Sequence, residues 1–366
     1  MPADRHDEAR AFLKSTGWDG AAVAPLPGDA STRSYARVSL NGHKAMLMDQ
    51  PQAAEARTAP ANATPEERRA LGYNATARLA GGDCARFVAT SNYLRGLGLS
   101  APEIYAADPQ NGFVLIEDLG DALYSDMLGD GRAEERTLYE SAAEVLAALH
   151  AKGAPDILHP DKALHAYDET ALLAEIDLMT EWYLPYALGR AATPDEIAEH
   201  RALWRKTLES VGEPAPVFVH RDYHAQNLLW LPERGGTARV GLIDFQDAVA
   251  GTRAYDLISL TEDARRDVSP EIAEATAQRY LAATGADADR FRAQMAVMAA
   301  QRNAKIAGIF ARLYKRDGKP RYLSYLPRVW GHLNRDLEHP ALAGLKSWYD
   351  KTIPRDRRGQ INGAVL

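Results

Sequence analysis

Cysteine is almost absent from this chain: among 366 residues there is one, Cys84. A lone thiol cannot close an intramolecular disulfide and offers no paired spacing for zinc, so Cys84 reads as a buried or bystander group. Long apolar runs are missing as well. No stretch of about 18 apolar residues occurs, so no transmembrane helix is expected. Met1 to Arg10 is too polar and charged for a signal peptide, and the cytoplasm is the expected location. Nor is there a surplus of basic charge. The 43 Lys and Arg against 50 Asp and Glu give a formal net charge of −7, the wrong sign for a general nucleic-acid surface. Neither a membrane, a nucleic acid nor an obligate protein partner is expected. Internal repeats and low-complexity tracts are also lacking. What is present is globular: 46% hydrophobic and 25% charged residues supply a core, at a length for one large or two modest domains.

The pattern of elements changes near Gly120. Before it, Tyr35 to Leu40 and Lys44 to Asp49 flank Asn41-Gly42, a strong hairpin signal. Residues 52–70 read as a polar loop or short surface helix. Phe87, Tyr93, Leu94 and Leu97 recur at helical spacing, and Phe113 to Ile116 form a short apolar strand. After Gly120 the chain turns mainly helical. Leu138, Ala142, Val145, Leu146 and Leu149 share one face, and further helices are expected over Leu172 to Leu188, Asp195 to Ser210 and Gln294 to Leu313. Val217 to Val219 and Val240 to Ile243 are short apolar strands that each deliver a polar cluster. The tail after Pro354 is expected to be loosely held.

Those clusters carry the chemistry. The first is His220-Arg221-Asp222-Tyr223-His224-Ala225-Gln226-Asn227, and the second is Asp244-Phe245-Gln246-Asp247. An H-R-D-x-x-x-x-N followed by an apolar strand and Asp-Phe is the pattern of phosphotransferase catalytic and metal-binding loops. Phosphoryl transfer needs a carboxylate beside the acceptor hydroxyl and oxygen ligands for Mg²⁺ on the phosphates. Asp222 suits the first task as catalytic base. The Asn227 amide oxygen and the Asp244 carboxylate suit the second, because Mg²⁺ prefers oxygen. His224 holds the place where protein kinases carry a lysine. It serves either as an acceptor contact or as a structural histidine of the loop.

On these segments the chain resembles the aminoglycoside phosphotransferase and choline kinase superfamily over roughly residues 25–335. Gly28 to Tyr35, Ile116 to Asp121, Tyr255-Asp256-Leu257 and Gly308 to Leu313 resemble one branch of it. That branch is the bacterial anomeric kinases that phosphorylate the C1 hydroxyl of N-acetylmuramate and N-acetylglucosamine in peptidoglycan recycling. The resemblance implies an α+β, bilobal protein-kinase-like fold. Residues 1–119 would form a small, mainly antiparallel-sheet nucleotide lobe, and 120–366 a larger, mainly helical lobe for catalysis and acceptor binding. It implies ATP and Mg²⁺ as cofactors. Gly28, Ser31, Thr32 and Arg33 would lie in the loop over the ATP phosphates, and Glu117 and Leu119 at the lobe connection where backbone groups meet adenine. Asp247 would join His224 near the acceptor, and Asp256 would buttress the catalytic loop.

Two features depart from the superfamily. The third-strand lysine that usually binds ATP is missing from Met46-Leu47-Met48-Asp49; Arg33, Arg37 and Lys44 are the nearby cations. The stretch from Gln52 to Asp83 is longer than in small members of the superfamily and has no assigned role.

Acceptor choice is read from charge. Between Arg302 and Arg328 eight cations face one acidic residue, Asp317. In an acidic chain this excess favours an anionic acceptor over a polycationic aminoglycoside. Arg302, Lys305 and Arg312, at spacings of three and seven, are the candidates for the lactyl carboxylate of N-acetylmuramate; the alternative is a solvated basic face. Trp182, Tyr183 and Tyr186 could stack on a sugar, although such a stripe more often packs a core. An aminoglycoside-type or stress-linked protein kinase of the same fold, or a nucleotide-binding pseudokinase, is the competing reading.

Overall fold

The computed structural model describes residues 3–27, 33–51, 58–131, 133–158 and 162–360. Its contacts divide into two compact units, neither continuous in sequence. The first comprises Met1–Glu134, Pro155–His165 and Ala225–Ala248; the second comprises Glu135–Ala154, Ala166–His224 and Val249–Leu366.

The first unit is built on a five-stranded antiparallel sheet. Its strands are β1 (Ala22–Pro25), β2 (Ser34–Leu40), β3 (His43–Asp49), β4 (Ile104–Asp108) and β5 (Phe113–Glu117), in the order β1-β2-β3-β5-β4. The Asn41-Gly42 signal is realised as a two-residue turn with φ of 50° and 83°. Positive φ at both central positions matches the twist of the flanking strands. Alternation in β2 and β3 puts Val38, Ala45 and Leu47 on one face. There they meet Phe113 and Leu115 of β5 and, from the helix Ala3–Ser15, Ala9, Phe12 and Leu13. The helix Cys84–Gly96 is capped at its start by the Asp83 carboxylate, which accepts from the Ala85 amide. Cys84 itself is buried. The unassigned stretch before it contains a helix, Pro65–Leu71, opened by a Thr64–Glu67 capping box; residues 52–57 lie outside the described residues.

The first unit also holds the two-residue strands β6 (Ile157–Leu158) and β7 (Lys162–Ala163). The second unit pairs β8 (Val217–Val219) with β11 (Val249–Gly251). Between these in sequence come β9 (Leu228–Trp230) and β10 (Val240–Leu242), an antiparallel pair of the first unit. Their place there is fixed by hydrogen bonds: Leu242 N–H donates to the Ser100 carbonyl and Trp230 N–H to that of Ala122, both at 2.8 Å. The first unit therefore includes residues on both sides of position 119.

Helices make up the rest of the second unit, the longest being Ala288–Lys315. The helix expected over Leu172 to Leu188 is interrupted. It runs as α-helix over Glu169–Leu178, widens to a π-helical turn over Met179–Tyr183, and resumes over Leu184–Leu188. Pro185 has no N–H with which to continue the α ladder, and the Leu184 N–H reaches back five residues to Met179. The longest helix packs closely against the end of the first segment. A Cβ on Gly308 would stand 2.4 Å from the Leu178 carbonyl carbon, so only glycine permits this approach. Tyr183 is a core residue whose hydroxyl donates to the Arg357 carbonyl and accepts from the Gly359 amide.

His200 is fully buried against Trp348 and accepts a 2.9 Å hydrogen bond from Trp204 Nε1. Burial pushes its pKa down from 6.5 to about 3. A depressed folded pKa contributes stability that is complete above the unfolded value and is lost as pH falls toward the folded one. The window is therefore pH 6.5 to 3, and at pH 4.5 the loss from this one group is roughly 2–3 kcal/mol. We expect the melting temperature to fall across this range, and His200→Phe to flatten that fall. Parallel pH profiles for the two proteins would show that His200 is not the titrating group.

Candidate active site

In the second unit the loop that follows β8 is clamped from beneath. The Asp256 carboxylate, buried in the helix Ala254–Thr261, accepts from the His220 amide at 2.6 Å and the Arg221 amide at 2.9 Å. Those bonds hold the backbone one residue before Asp222. Arg221 itself sits at φ +75°, a conformation uncommon outside glycine. Its buried side chain pairs with Glu175 and lies over the Tyr167 ring at 4.8 Å. Glu175 is buried as well, and it also accepts from the Tyr167 hydroxyl, Lys305 at 3.1 Å and Gln301 at 3.0 Å. Burial would raise the Glu175 carboxyl, but Lys305 and Arg221 outweigh it and hold the pKa at about 2. For Lys305, burial pulls down and Glu175 pulls up; the upward pull wins, with a further contribution from Asp222.

His224 is buried, and its amide donates to the Asp222 carbonyl at 3.0 Å. Burial pushes its imidazole down to about 4, against the attraction of Asp263; near neutral pH it is an uncharged ring. The three expected acceptor cations are placed differently from one another. Arg302 is buried and donates to the Glu262 carbonyl at 3.3 Å. Lys305 is bound to Glu175 and to the Tyr255 hydroxyl. Arg312 is half-buried, and its charge reaches Glu181 and Asp317.

The first unit carries Asn227 and Asp244, and the structure brings them together. Asn227 precedes β9, Asp244 follows β10, and the Ile243 amide donates to the Asn227 carbonyl at 3.2 Å. Asn227 Nδ2 is 3.4 Å from Asp244 Oδ2, and Gln246 Nε2 donates to Asp244 Oδ1 at 3.1 Å. Asp244 also adopts a positive φ, 63°. The loop after it is anchored by Phe245 stacking on Phe87 and by Arg86 donating to the Gln246 and Ala248 carbonyls. Asp247 accepts from the Ala80 amide at 2.6 Å, so its carboxylate ties this loop to residues 73–83. Arg33 Nη2 lies 2.9 Å from Asp244 Oδ1. Gly28, Ser31 and Thr32 fall outside the described residues.

At the end of β5 the Glu117 amide donates to the Glu103 carbonyl, while its side chain binds Arg234 at 2.6 Å. An adenine contact at Glu117 would therefore use its carbonyl rather than its N–H. Leu119 lies against Gly241 of β10.

Glu175 is the group that sequence reasoning missed. It lies at helical spacing from Leu172 and Met179 in a stripe that is otherwise apolar. A carboxylate on such a face needs a buried cationic partner, and that was the available signal.

The fold and these two loops define a phosphotransferase. Residues 22–294 match the phosphotransferase enzyme family, and the chain belongs to it. It is 44% identical to the N-acetylmuramate/N-acetylglucosamine kinase of Caulobacter vibrioides, over 98% of this chain and 99% of that one. It is 33% identical to the protein of the same name from Pseudomonas aeruginosa, over 89% and 87% of the two chains. Among solved structures it is similar in fold to a choline/ethanolamine kinase family protein from Mesorhizobium loti. That likeness has a TM-score of 0.58 at 14% identity and covers 94% of this chain and 98% of that one. The α+β protein-kinase-like fold expected from the sequence is the one found. No helix among the described residues is long and apolar enough to cross a membrane.

Removing the Glu175 carboxylate would leave Arg221 and Lys305 buried without an anion. Glu175→Ala is expected to cost about 3–5 kcal/mol in denaturant unfolding, the range for breaking a buried pair. Making Arg221→Met in the same protein should recover part of that loss, because the orphaned charge goes with it. A cost for Glu175→Ala of under about 1 kcal/mol, as for a surface pair, would contradict the network.

Proposed function

We propose that the protein is an ATP- and Mg²⁺-dependent kinase that phosphorylates the anomeric C1 hydroxyl of N-acetylmuramate and N-acetylglucosamine. The product is the sugar 1-phosphate, and the reaction is a cytoplasmic step of peptidoglycan recycling towards UDP-N-acetylmuramate. The observation that carries this reading is the near-full-length likeness to the Caulobacter vibrioides kinase, in a chain that keeps Asp222 on its clamped loop and Asn227 beside Asp244.

Asp222 takes the proton of the C1 hydroxyl as its oxygen bonds to the γ-phosphorus and the bond to ADP breaks. Its loop is positioned by the Asp256 clamp, so the carboxylate is held ready before the acceptor arrives. The donors on the other loop fit a hard divalent ion: the partly exposed Asp244 carboxylate and, beside it, the side-chain amide of Asn227, whose oxygen can serve as a ligand. When bound there by Asp244 and Asn227, Mg²⁺ would neutralise charge on the transferring phosphate. His224, uncharged and buried beside Asp222, orders the loop. Arg302, Lys305 and Arg312 remain the candidates for the lactyl carboxylate.

Asp222→Asn is expected to keep nucleotide affinity while lowering kcat by about 10²-fold or more, the scale of a positioned base. Near-normal turnover in a coupled ADP-release assay would remove Asp222 from that role. In the same assay Ala substitution of the cation among Arg302, Lys305 and Arg312 that contacts the carboxylate should lower kcat/KM for N-acetylmuramate by about 10-fold or more, the effect of one hydrogen bond to a charged group. N-acetylglucosamine, which lacks the lactyl group, should be nearly unaffected. If Ala substitutions at Arg302, Lys305 and Arg312 each leave the ratio between the two sugars unchanged, carboxylate recognition lies elsewhere. Turnover of an aminoglycoside or a protein in preference to either sugar would overturn the substrate assignment.

A further inference from the structure

The nucleotide loops lack a lysine where the superfamily places one, and three nearby cations could stand in for it. The structure separates them. Arg37 is committed to the lobe connection, donating through Nε and Nη2 to Asp118 and through Nη2 to Asp121. Lys44 is exposed on β3, opposite Ser39. Arg33 alone of the three is in contact with a proposed metal ligand, with Nη2 at 2.9 Å from Asp244 Oδ1. Its side chain is 11% exposed, whereas that of Asp244 is 38% exposed. The guanidinium is thus largely covered, and the carboxylate still opens to solvent.

We propose that Arg33 is the phosphate-binding cation of this protein and that, before nucleotide arrives, it stands on Asp244 in the place the metal will take. The inference rests on the nucleotide-binding reading and deepens it. A divalent ion bound at Oδ1 and a guanidinium 2.9 Å from that same oxygen repel each other, so the two compete. Metal alone must displace Arg33 with no anion to receive it. Metal arriving with a nucleotide brings phosphate oxygens, which are better partners for a guanidinium than a shared carboxylate oxygen. Arg33 exchanges one anion for the other, and its charge remains paired throughout. The exchange makes free metal bind the nucleotide-free protein weakly, and it makes metal and nucleotide bind with positive coupling. Gln246, which donates to the same Oδ1 at 3.1 Å, keeps the carboxylate oriented while the cation changes.

The test reads binding rather than turnover. Mn²⁺ binding to the nucleotide-free protein is followed by the electron paramagnetic resonance of free Mn²⁺. ADP binding with and without Mg²⁺ is followed by calorimetry. The proteins are wild type, Arg33→Gln, Arg33→Lys and Lys44→Gln. Arg33→Gln should bind Mn²⁺ alone more tightly by about ten-fold and ADP with Mg²⁺ more weakly by about ten-fold, the lower range for one charge-assisted contact. Arg33→Lys should move both values in the same directions by less, and it decides the matter if Arg33→Gln fails to fold by thermal melting. Unchanged or weaker Mn²⁺ binding in both Arg33 variants would overturn the competition. Unchanged affinity for ADP with Mg²⁺, or an equal loss in Lys44→Gln, would overturn the phosphate role. These outcomes are separate from failure of the kinase reading, which would appear as a wild-type protein that binds no ADP under any condition.

Discussion

One buried carboxylate, Glu175, satisfies two buried cations, and the loop carrying Asp222 depends on it. Arg221 and Lys305 both lie in low-dielectric surroundings where an unpaired charge is very costly. Glu175 meets both, and its remaining hydrogen-bonding capacity is taken up by Gln301 and the Tyr167 hydroxyl. That degree of satisfaction separates a tolerable buried ion cluster from a destabilising one. The cluster also joins three elements: the helix Glu169–Leu178, the loop after β8, and the helix Ala288–Lys315. Dispersion contacts would allow these to slide; a fixed set of charge-assisted bonds defines one register. Two cations on one carboxylate leave a net positive charge, and Asp222 adds to the upward pull on Lys305.

Backbone strain marks the same places. Among the described residues, four that are not glycine have positive φ: Asn41, Arg78, Arg221 and Asp244. Asn41 is accounted for by its hairpin turn. Arg221 and Asp244 lie beside or within the proposed chemistry, each at a cost of order 1–3 kcal/mol that the surroundings must offset. At Arg221 the offset comes from the Asp256 bond to its amide and the Glu175 bond to its side chain. At Asp244 it comes from the next four residues of the chain, through the Phe245–Phe87 stack and the grip of Arg86 on the Gln246 and Ala248 carbonyls. Arg86 lies in the helix Cys84–Gly96, so the five-stranded sheet's neighbouring helix does more than cover apolar surface. It holds the turn that presents Asp244.

What the sequence made legible is what is encoded locally. Asn41-Gly42 dictates its own turn, and Val217–Val219 reads as a strand because three apolar residues sit between prolines and a polar loop. Asp222, Asn227 and Asp244 stand out as candidates in the sequence because phosphoryl-transfer chemistry, where they carry it, would fix their spacing. What was not legible depended on partners far along the chain. Glu175 and Arg221 are 46 residues apart, and Asp247 and Ala80 are 167 apart. No periodicity reports such pairs. The π-helical turn at Met179–Tyr183 was hidden for a related reason. The apolar pattern continues through it, and only Pro185 hinted that the ladder would have to change.

The same limit bears on reading charge along a chain. Eight cations against one acid between Arg302 and Arg328 suggested a strongly positive surface, yet the fold supplies counter-charges from elsewhere. Lys305 meets Glu175 and Arg328 meets Asp267, while Arg316 pairs with its neighbour Asp317 and Arg302 spends a donor on a carbonyl. A count in sequence treats all eight as equivalent, but a buried pair such as Lys305–Glu175 and an exposed pair such as Arg316–Asp317 present very different fields to a ligand. Once paired charges are set aside, an anionic acceptor would have to be recognised by a few cations in particular geometry rather than by a diffuse basic face. Such recognition discriminates better. A diffuse field favours any anion, whereas a single cation at a set place favours one carboxylate on one sugar and contributes nothing to its neutral analogue. For the proposed kinase of an acidic and a neutral amino sugar, a single placed cation would admit both, whereas a strongly positive pocket would also admit unrelated anions.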